Sequence, residues 1–165
     1  MSLKRALDPV VDAQTRLLIL GSLPGDASLR AGQYYGHPQN GFWRLVGRVI
    51  GVDLVALDYP SRLEALKTAG VGLWDVIASA ERRGSLDAAI RNVEAADLTQ
   101  LVDGLPALTA IAFNGGTAAR LGRRRLTARP GVVLIDLPSS SPAHTRPLSE
   151  KAAAWAALGP FLRTD

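Results

Sequence analysis

Short apolar runs recur along the chain and are separated by segments of helical periodicity. Runs of this kind are typical of strands buried on both faces of a parallel sheet, because no solvent-facing polar residue interrupts them. The predicted strands occupy residues 17–21, 71–77, 108–113 and 132–136. The pattern therefore predicts strands that alternate with helices.

Helices are predicted between these strands from the spacing of apolar residues and from capping signals. Residues 40–50 place Phe42 and Trp43 on one inward face. Ser61 is expected to cap the next helix, which ends at Gly70. Further helices are predicted over residues 97–104, from Gly116 to about Arg125, and around Trp155.

Alternating strands and helices place the chain in the α/β class, with a parallel sheet covered by helices on both faces. A length of 165 residues corresponds to about one domain, so residues 1–165 are expected to form a single unit. Ligands of such sheets bind beyond the carboxyl ends of the strands. The segments after the predicted strands are 21–25, 77–83, 114–117 and 137–146, and they contain the most unusual polar sequences of the chain.

The composition excludes several classes of protein. Apolar residues make up 47% and charged residues 21%, as in ordinary globular proteins rather than disordered ones. No apolar run of about 18 residues is free of charge, so no membrane partner is expected. Cys is absent, which excludes disulfides, thiolate metal sites and a cysteine nucleophile and fits a cytoplasmic location.

Basic residues are in excess. Lys and Arg together number 19 against 15 acidic residues, giving a net charge of +4, and 16 of the 19 are Arg. The Arg guanidinium binds phosphate through a planar set of donors and stacks on bases, so nucleic acid is a candidate partner. A GC-rich genome also raises the Arg content, and composition alone does not decide between these explanations.

The segment after the first strand, residues 21–43, is long, polar and rich in aromatic residues, and it lacks the glycine patterns of phosphate-binding loops. Tyr34 and Tyr35 offer flat surfaces on which a base could stack. His37 and Asn40 are neutral polar groups that could read a base edge or hold a water. The alternative is structural, with Asn40 as a helix cap and the tyrosines in the core.

Two other strand ends offer polar groups. Residues 137–146 contain three serines, whose hydroxyl and N–H groups could bind a phosphate, followed by His144 and Arg146. Asn114 leaves a buried strand before two glycines, which allow a ligand to approach the backbone closely. The alternatives are an ordinary surface loop and a tight strand-to-helix turn.

Charged residues cluster in two more places. Asp75 lies in the charged segment 74–87, where it could orient another side chain or accept from a base, or belong to a solvated loop. The Arg residues between positions 120 and 129 could contact phosphates or complement the dipole of a helix C-terminus.

Standard catalytic sets are missing from the sequence. No metal-ligand spacing and no G-x-S-x-G motif occurs, and the three lysines, Lys4, Lys67 and Lys151, lie outside the segments above. Amides, tyrosines and hydroxyls with few acid–base groups suit a reaction with a good leaving group, or binding alone.

Together these segments resemble the uracil-DNA glycosylase superfamily. The resemblance is carried by ILGSLPGDASL with YYGHPQNGFW, GLWDVIASAERRGSLD, AFNGG and LPSSSPAHTR, across roughly residues 15–160. The sequence is most similar to family 6, the hypoxanthine-DNA (DNA-deoxyinosine) glycosylases. FNGG and LPSSS also resemble the mismatch-specific thymine/uracil enzymes, but those place a catalytic Asn in a G-I-N-P-G turn where this chain has GSLPG.

The resemblance implies a three-layer α/β/α sandwich with a central four-stranded parallel sheet. It implies a monofunctional DNA glycosylase of base-excision repair that releases a deaminated base, with hypoxanthine expected. The catalytic residue of the H-P-x-N step maps onto Asn40, which would hold a water against the anomeric carbon. The expected substrate is double-stranded or single-stranded DNA, bound by a monomer that needs no metal or cofactor.

The resemblance also assigns base-binding and DNA-binding residues. The base-binding positions are Gly21, Ser22, Leu23, Pro24, Tyr34, Tyr35 and Asn114. The DNA-binding positions are Ser139, Ser140, Ser141, Pro142, Ala143, His144 and Arg146. One tyrosine would stack on the extruded base, Asn114 would bond its polar edge, and backbone N–H groups of residues 22–26 would face the leaving charge. The loop 142–146 would enter the duplex.

Three alternatives remain open from the sequence. The first is a uracil/thymine mismatch-specific glycosylase. The second is a nucleotide-binding or metabolic α/β enzyme, which competition between free nucleotides and duplex DNA would reveal. The third is a non-catalytic protein that binds damaged DNA and leaves the strand free of abasic sites.

Overall fold

Four parallel strands form the central sheet of the computed structural model, which describes residues 2–82, 90–126 and 129–163. The strands are β2 (Leu17–Gly21), β3 (Val71–Asp75), β6 (Ala110–Asn114) and β7 (Val133–Leu137). Their order across the sheet is β3-β2-β6-β7. The predicted four-stranded parallel sheet is therefore confirmed.

Strand β2 shows why these runs are apolar throughout. Leu17 and Ile19 pack into the core on one face of the sheet, whereas Leu18 and Leu20 pack into the core on the other. All four side chains are fully buried. Because β2 pairs with both β3 and β6, neither of its faces nor its edges meets water.

Helices cover both faces of the sheet, as the α/β/α prediction requires. One face is covered by α2 (Phe42–Ile50), α3 (Tyr59–Thr68), α6 (Leu148–Trp155) and the 3₁₀ turn Ala156–Phe161. The other face is covered by α4 (Leu98–Asp103) and α5 (Gly116–Arg125). The short helix α1 (Asp26–Ala31) follows β2, and a 3₁₀ turn (Leu54–Ala56) follows α2. None of the helices in the described ranges is long and apolar enough to cross a membrane.

A second sheet, absent from the sequence prediction, lies on the α4–α5 side. It is antiparallel, with the order β1-β4-β5, and consists of β1 (Ser2–Arg5), β4 (Ile77–Arg82) and β5 (Ile90–Ala95). The prediction of one strand over residues 71–77 is wrong, because β3 ends at Asp75 and the chain then enters β4. A solvated loop is also wrong for Ile77–Arg82, while Arg83, Ser85 and Asp87 lie outside the described residues.

Two helices begin at positions other than those predicted. Asp58, and not Ser61, caps α3, because the Asp58 carboxylate accepts from the Ser61 N–H at 2.9 Å. Pro60 in the first turn suits this earlier start, since a proline needs no hydrogen-bond acceptor there. Helix α2 begins at Phe42 rather than at residue 40, with Gly41 in the cap position.

The Asp58 cap predicts a pH-dependent contribution to stability. Hydrogen bonds donated by Ser61 hold the pKa of the Asp58 carboxyl below its usual value. A lowered pKa in the folded state stabilises the protein above the unfolded pKa of about 4, and this contribution is lost as the pH falls through the folded value. Asp58→Ala should therefore reduce the free energy of unfolding at pH 7, and the deficit should shrink at pH 3.

Urea titrations of both proteins at the two pH values measure this deficit. Asp58→Asn serves as the control, because an Asn side chain also caps helices. A deficit of equal size at pH 7 and pH 3 would contradict a role for the ionised carboxylate.

Candidate active site

A cavity of about 500 Å³ opens at the carboxyl edge of the central sheet. It is bordered by the segments that follow β2 and β6, by the end of β3, and by the loop after β7. Its lining includes residues 21–25 and 139–144 together with Tyr34, Tyr35, His37, Asn40, Asp75 and Asn114. Every site residue predicted from the sequence except Arg146 thus borders one space.

Gly21 and Asp75 are paired across the sheet edge at this cavity. A Cβ atom at position 21 would lie 2.7 Å from Asp75 Oδ1 and 3.1 Å from the Tyr35 hydroxyl. The buried Asp75 carboxylate and the Tyr35 phenol therefore approach the β2 backbone closely because position 21 has no side chain. A solvated loop is therefore wrong for Asp75, which is buried at the end of β3, and its packing near Tyr35 leaves the orienting and base-accepting roles open.

Asn40 is oriented by the start of α2. Its Oδ1 atom accepts from the Phe42 backbone N–H at 2.9 Å, and the Asn40 backbone N–H donates to the His37 carbonyl at 3.0 Å. The helix-cap alternative is thus partly right, although Gly41 occupies the cap position itself. An amide oxygen has two lone pairs, so Asn40 can accept a second hydrogen bond inside the cavity while Phe42 holds its orientation.

The two tyrosines have different environments. Tyr34 is 3% exposed and its hydroxyl donates to the Asp8 carbonyl at 2.7 Å. Burial, with a further contribution from the Asp75 charge, raises the pKa of Tyr34 far above its usual value, so its hydroxyl stays protonated. This leaves almost none of the Tyr34 ring for a base, and the stacking role assigned to it does not fit the structure.

Tyr35 keeps a place at the cavity. Its ring stacks on Phe42 with centroids 3.8 Å apart and planes inclined by 14°. Its backbone adopts a positive φ of 53°, which is uncommon for an aromatic residue and costs free energy. This conformation directs the two adjacent tyrosines to different environments, Tyr34 to the core and Tyr35 to the site.

Asn114 joins β6 to the serine loop. Asn114 Nδ2 donates to Ser140 Oγ at 2.9 Å, and the Ser140 N–H donates to Asn114 Oδ1 at 2.9 Å. The Asn114 side-chain amide, which the resemblance assigns to the polar edge of the base, is therefore already hydrogen-bonded to Ser140 through both its nitrogen and its oxygen. The tight-turn alternative also holds, since Gly115 has a positive φ of 98° and packs against Ser139.

The structure places the two candidate residues at the end of the serine loop differently with respect to the cavity. His144 is half-buried, and its Nδ1 atom has no hydrogen-bond partner among the described residues. Arg146 is exposed outside the cavity, with its Nε atom 3.6 Å from Glu150. A direct role at the cavity therefore fits His144 better than Arg146.

Lys151 is a residue that the sequence analysis missed. Its ammonium donates to the carbonyls of Ser141 at 3.1 Å and His144 at 2.8 Å. Burial, followed by the charge of Arg146, lowers the pKa of Lys151. The available signal was its position near the start of α6, where the helix dipole opposes a positive charge.

The Arg residues between positions 120 and 129 belong in part to surface ion pairs. Arg123 pairs with Asp136 at 2.9 Å, and Arg129 pairs with Asp103. Arg123, Arg124 and Arg125 form the last turn of α5, where a positive charge suits the helix dipole. The structural alternative therefore accounts for Arg123, Arg124, Arg125 and Arg129 without a phosphate.

The family to which the chain belongs is identified by a match to a protein-family model. The model described as "Uracil DNA glycosylase superfamily" matches residues 9–159, which is most of the chain. The chain belongs to this superfamily. The resemblance drawn from the sequence motifs is thereby confirmed, and the cavity lies where those motifs meet.

Two curated relatives and one solved structure of another protein are similar to this chain over nearly their whole length. The chain is 43% identical to the hypoxanthine DNA glycosylase of Methanosarcina barkeri, covering 93% of this chain and 96% of the relative. It is 42% identical to the hypoxanthine DNA glycosylase of Methanosarcina acetivorans, covering 94% and 98%. A solution NMR structure from Methanosarcina acetivorans, described as that of a candidate uracil DNA glycosylase, matches with a TM-score of 0.83 and 41% identity over 96% and 97% of the two chains.

The contact at Gly21 predicts that this superfamily member does not tolerate a side chain there. Gly21→Ala should displace the Asp75 carboxylate and destabilise the protein by about 1–3 kcal/mol, the usual cost of overpacking. Gly159→Ala is the matched control, because nothing lies within 4 Å of a Cβ atom at that position. The free energy of unfolding of both variants, measured in urea, checks the prediction. Equal stability of the two variants would contradict it.

Proposed function

We propose that this protein is a monofunctional DNA glycosylase that hydrolyses the N-glycosidic bond of hypoxanthine in DNA and leaves an abasic site. Membership of the uracil DNA glycosylase superfamily and the names of the two curated relatives support a deaminated base as the target. The main structural support is the cavity that brings Asn40, Tyr35 and the serine loop together at one edge of the sheet.

The cavity suits a base that has left the helix. Its volume of about 500 Å³ lies within the range of small-molecule sites. An enzyme that acts on a base within a duplex must first extrude that base, and the deaminated base is easier to extrude because its pairing is weak. Tyr35 is the aromatic residue of this cavity on whose ring the extruded base would stack.

Asn40 would supply the nucleophilic water. As the glycosidic bond breaks, the sugar becomes positively charged and the base leaves with the bonding electrons. A water held by Asn40 Oδ1 is then placed to attack the anomeric carbon, and the proton that this water loses neutralises the departing base. The Phe42 N–H meanwhile prevents the amide from turning. A neutral amide can orient this water at any physiological pH, and the rate then depends on preorganisation rather than on a strong base.

DNA would approach from the serine loop and the 21–25 turn, which border the cavity. The hydroxyl groups of the half-buried Ser139 and Ser141 are suited to phosphate oxygens, whereas the Ser140 hydroxyl is buried against Asn114. The exposed Pro142 and Ala143 are suited to the space left by the base. The excess of Arg adds a sequence-independent attraction to the phosphate backbone.

A base-release assay tests the proposed function. Labelled duplexes that contain hypoxanthine, uracil, xanthine or a mismatched thymine are incubated with the protein and then heated with alkali, which cleaves abasic sites. Cleavage at hypoxanthine is expected. Preferential cleavage at uracil or thymine would favour a mismatch-specific enzyme, and binding without any cleavage would favour a non-catalytic damage-binding protein.

The role of Asn40 gives a specific prediction. Asn40→Ala should slow single-turnover base release by roughly 10²–10³, as for the loss of one preorganised polar group, with little change in DNA affinity. Gln39→Ala is the control, because Gln39 is exposed and adjacent but does not border the cavity. Stopped reactions with enzyme in excess measure the rate.

Asn40→Ser separates this role from helix capping. A serine can accept from the Phe42 N–H as Asn40 does, so a purely structural role would be preserved. Wild-type turnover in Asn40→Ser, together with only a lower melting temperature in Asn40→Ala, would exclude the catalytic assignment.

A further inference from the structure

One side chain holds both ends of the turn formed by residues 141–144. The Lys151 ammonium donates to the Ser141 carbonyl at 3.1 Å and to the His144 carbonyl at 2.8 Å. The His144 N–H also donates to the Ser141 carbonyl at 3.0 Å, which closes the turn. Pro142 and Ala143, between these two anchors, are exposed and border the cavity.

The preceding part of the loop is held in the same way, through its carbonyl groups. Trp155 Nε1 donates to the Pro138 carbonyl at 2.9 Å, and the Gly41 N–H donates to the Ser140 carbonyl at 3.0 Å. Four carbonyl oxygens of the loop, including the two held by Lys151, thus accept from donors of the protein. Lys151 and Trp155 both lie on α6, which therefore supplies the donors for three of these four carbonyls.

Lys151 is an unusual residue for this position. It is 4% exposed, and no carboxylate forms an ion pair with it in the described part of the chain. Burial of an ammonium without an acidic partner is costly, and an apolar side chain of similar length would fill the space more cheaply. A lysine here is explained if its two hydrogen bonds are needed for the shape of the turn.

We propose that Lys151 is a positioning residue that holds the turn of residues 141–144 in the conformation that enters the duplex when the base is extruded. The inference rests on the proposed function. Lys151 is buried and does not border the cavity, so it would act on the extruded base only through the turn whose carbonyls it binds. A small apolar tip, Pro142–Ala143, can fill the gap in the base stack only if the chain on both sides is rigid.

Because of this role, Lys151 should affect the rate of base release from paired DNA and not the rate from single strands. In a duplex, the extruded base leaves a gap beside a stacked and paired complement, and a misplaced turn no longer fills that gap. In a single strand the base is already unstacked, so base release depends on the cavity and Asn40 rather than on the turn. The ratio of the two rates therefore reports the turn separately from the rest of the site.

The experiment compares full-length wild-type protein, Lys151→Met and Lys151→Gln on a hypoxanthine duplex and on the same hypoxanthine strand alone, in single turnover. Lys151→Met keeps the length of the side chain and removes the donors, and it should slow release from the duplex about 10- to 100-fold. Release from the single strand should fall less than about threefold. Lys151→Gln can still donate two hydrogen bonds and should recover part of the duplex rate.

Lys67→Met is the matched control, because Lys67 lies on the surface of α3, 3.4 Å from Glu64, and should change neither rate. A loss of stability does not obscure the result, since the ratio of the two rates in one preparation does not depend on the folded fraction. The inference would be overturned if Lys151→Met left the ratio of the duplex rate to the single-strand rate unchanged, whether both rates fell equally or neither fell. It would also be overturned if Lys151→Gln slowed base release from the duplex as much as Lys151→Met does. Wild-type protein that releases no base from either substrate would instead overturn the proposed function.

Discussion

The site depends on a reciprocal pair of hydrogen bonds between Asn114 at the end of β6 and Ser140 in the loop after β7. The Asn114 amide donates to the Ser140 hydroxyl and accepts from the Ser140 N–H, both at 2.9 Å. The two residues are 9% and 2% exposed, so neither has water as a ready alternative partner. Loss of the Asn114 side chain removes both hydrogen bonds and leaves the buried Ser140 N–H without this acceptor, whereas loss of the Ser140 side chain removes only the bond that Asn114 Nδ2 donates.

This link extends to the residue proposed for chemistry. The Ser140 carbonyl accepts from the Gly41 N–H at 3.0 Å, and Gly41 lies between Asn40 and the first residue of α2. The sheet therefore positions the loop, and the loop positions the start of the helix that orients Asn40. Neutral amides and hydroxyls do this work, so the geometry does not depend on the ionisation of any of them.

The strands of the central sheet, and the sheet edge at which the site lies, could be predicted because each depends on a short stretch of sequence. An apolar run such as residues 17–21 needs no knowledge of its partner to be recognised, and the polar segments follow such runs directly. The antiparallel sheet could not be found in this way. Strand β4 contains alternating polar residues, and its partner β1 lies more than seventy positions earlier in the chain, as in the pair Ser2 and Arg82.

The details of the site required three-dimensional contacts. The sequence offers two adjacent tyrosines, and only the positive φ of Tyr35 and the contact of the Tyr34 hydroxyl with the Asp8 carbonyl separate them. Lys151 was set aside because it lies outside the polar segments, yet α6 folds back so that its ammonium reaches the loop. Both cases depend on contacts that motif spacing does not report.

A double-mutant cycle on Asn114→Ala and Ser140→Ala tests the dependence of the site on this link most directly. The free energy of unfolding and the single-turnover rate of base release are measured for the wild type, both single variants and the double variant. We expect the double variant to be little worse than the more defective single variant, with a coupling energy of about 1 kcal/mol or more in stability. If the effects of the two single substitutions instead add within about 0.5 kcal/mol, both in the free energy of unfolding and in the activation free energy, the site does not depend on this link.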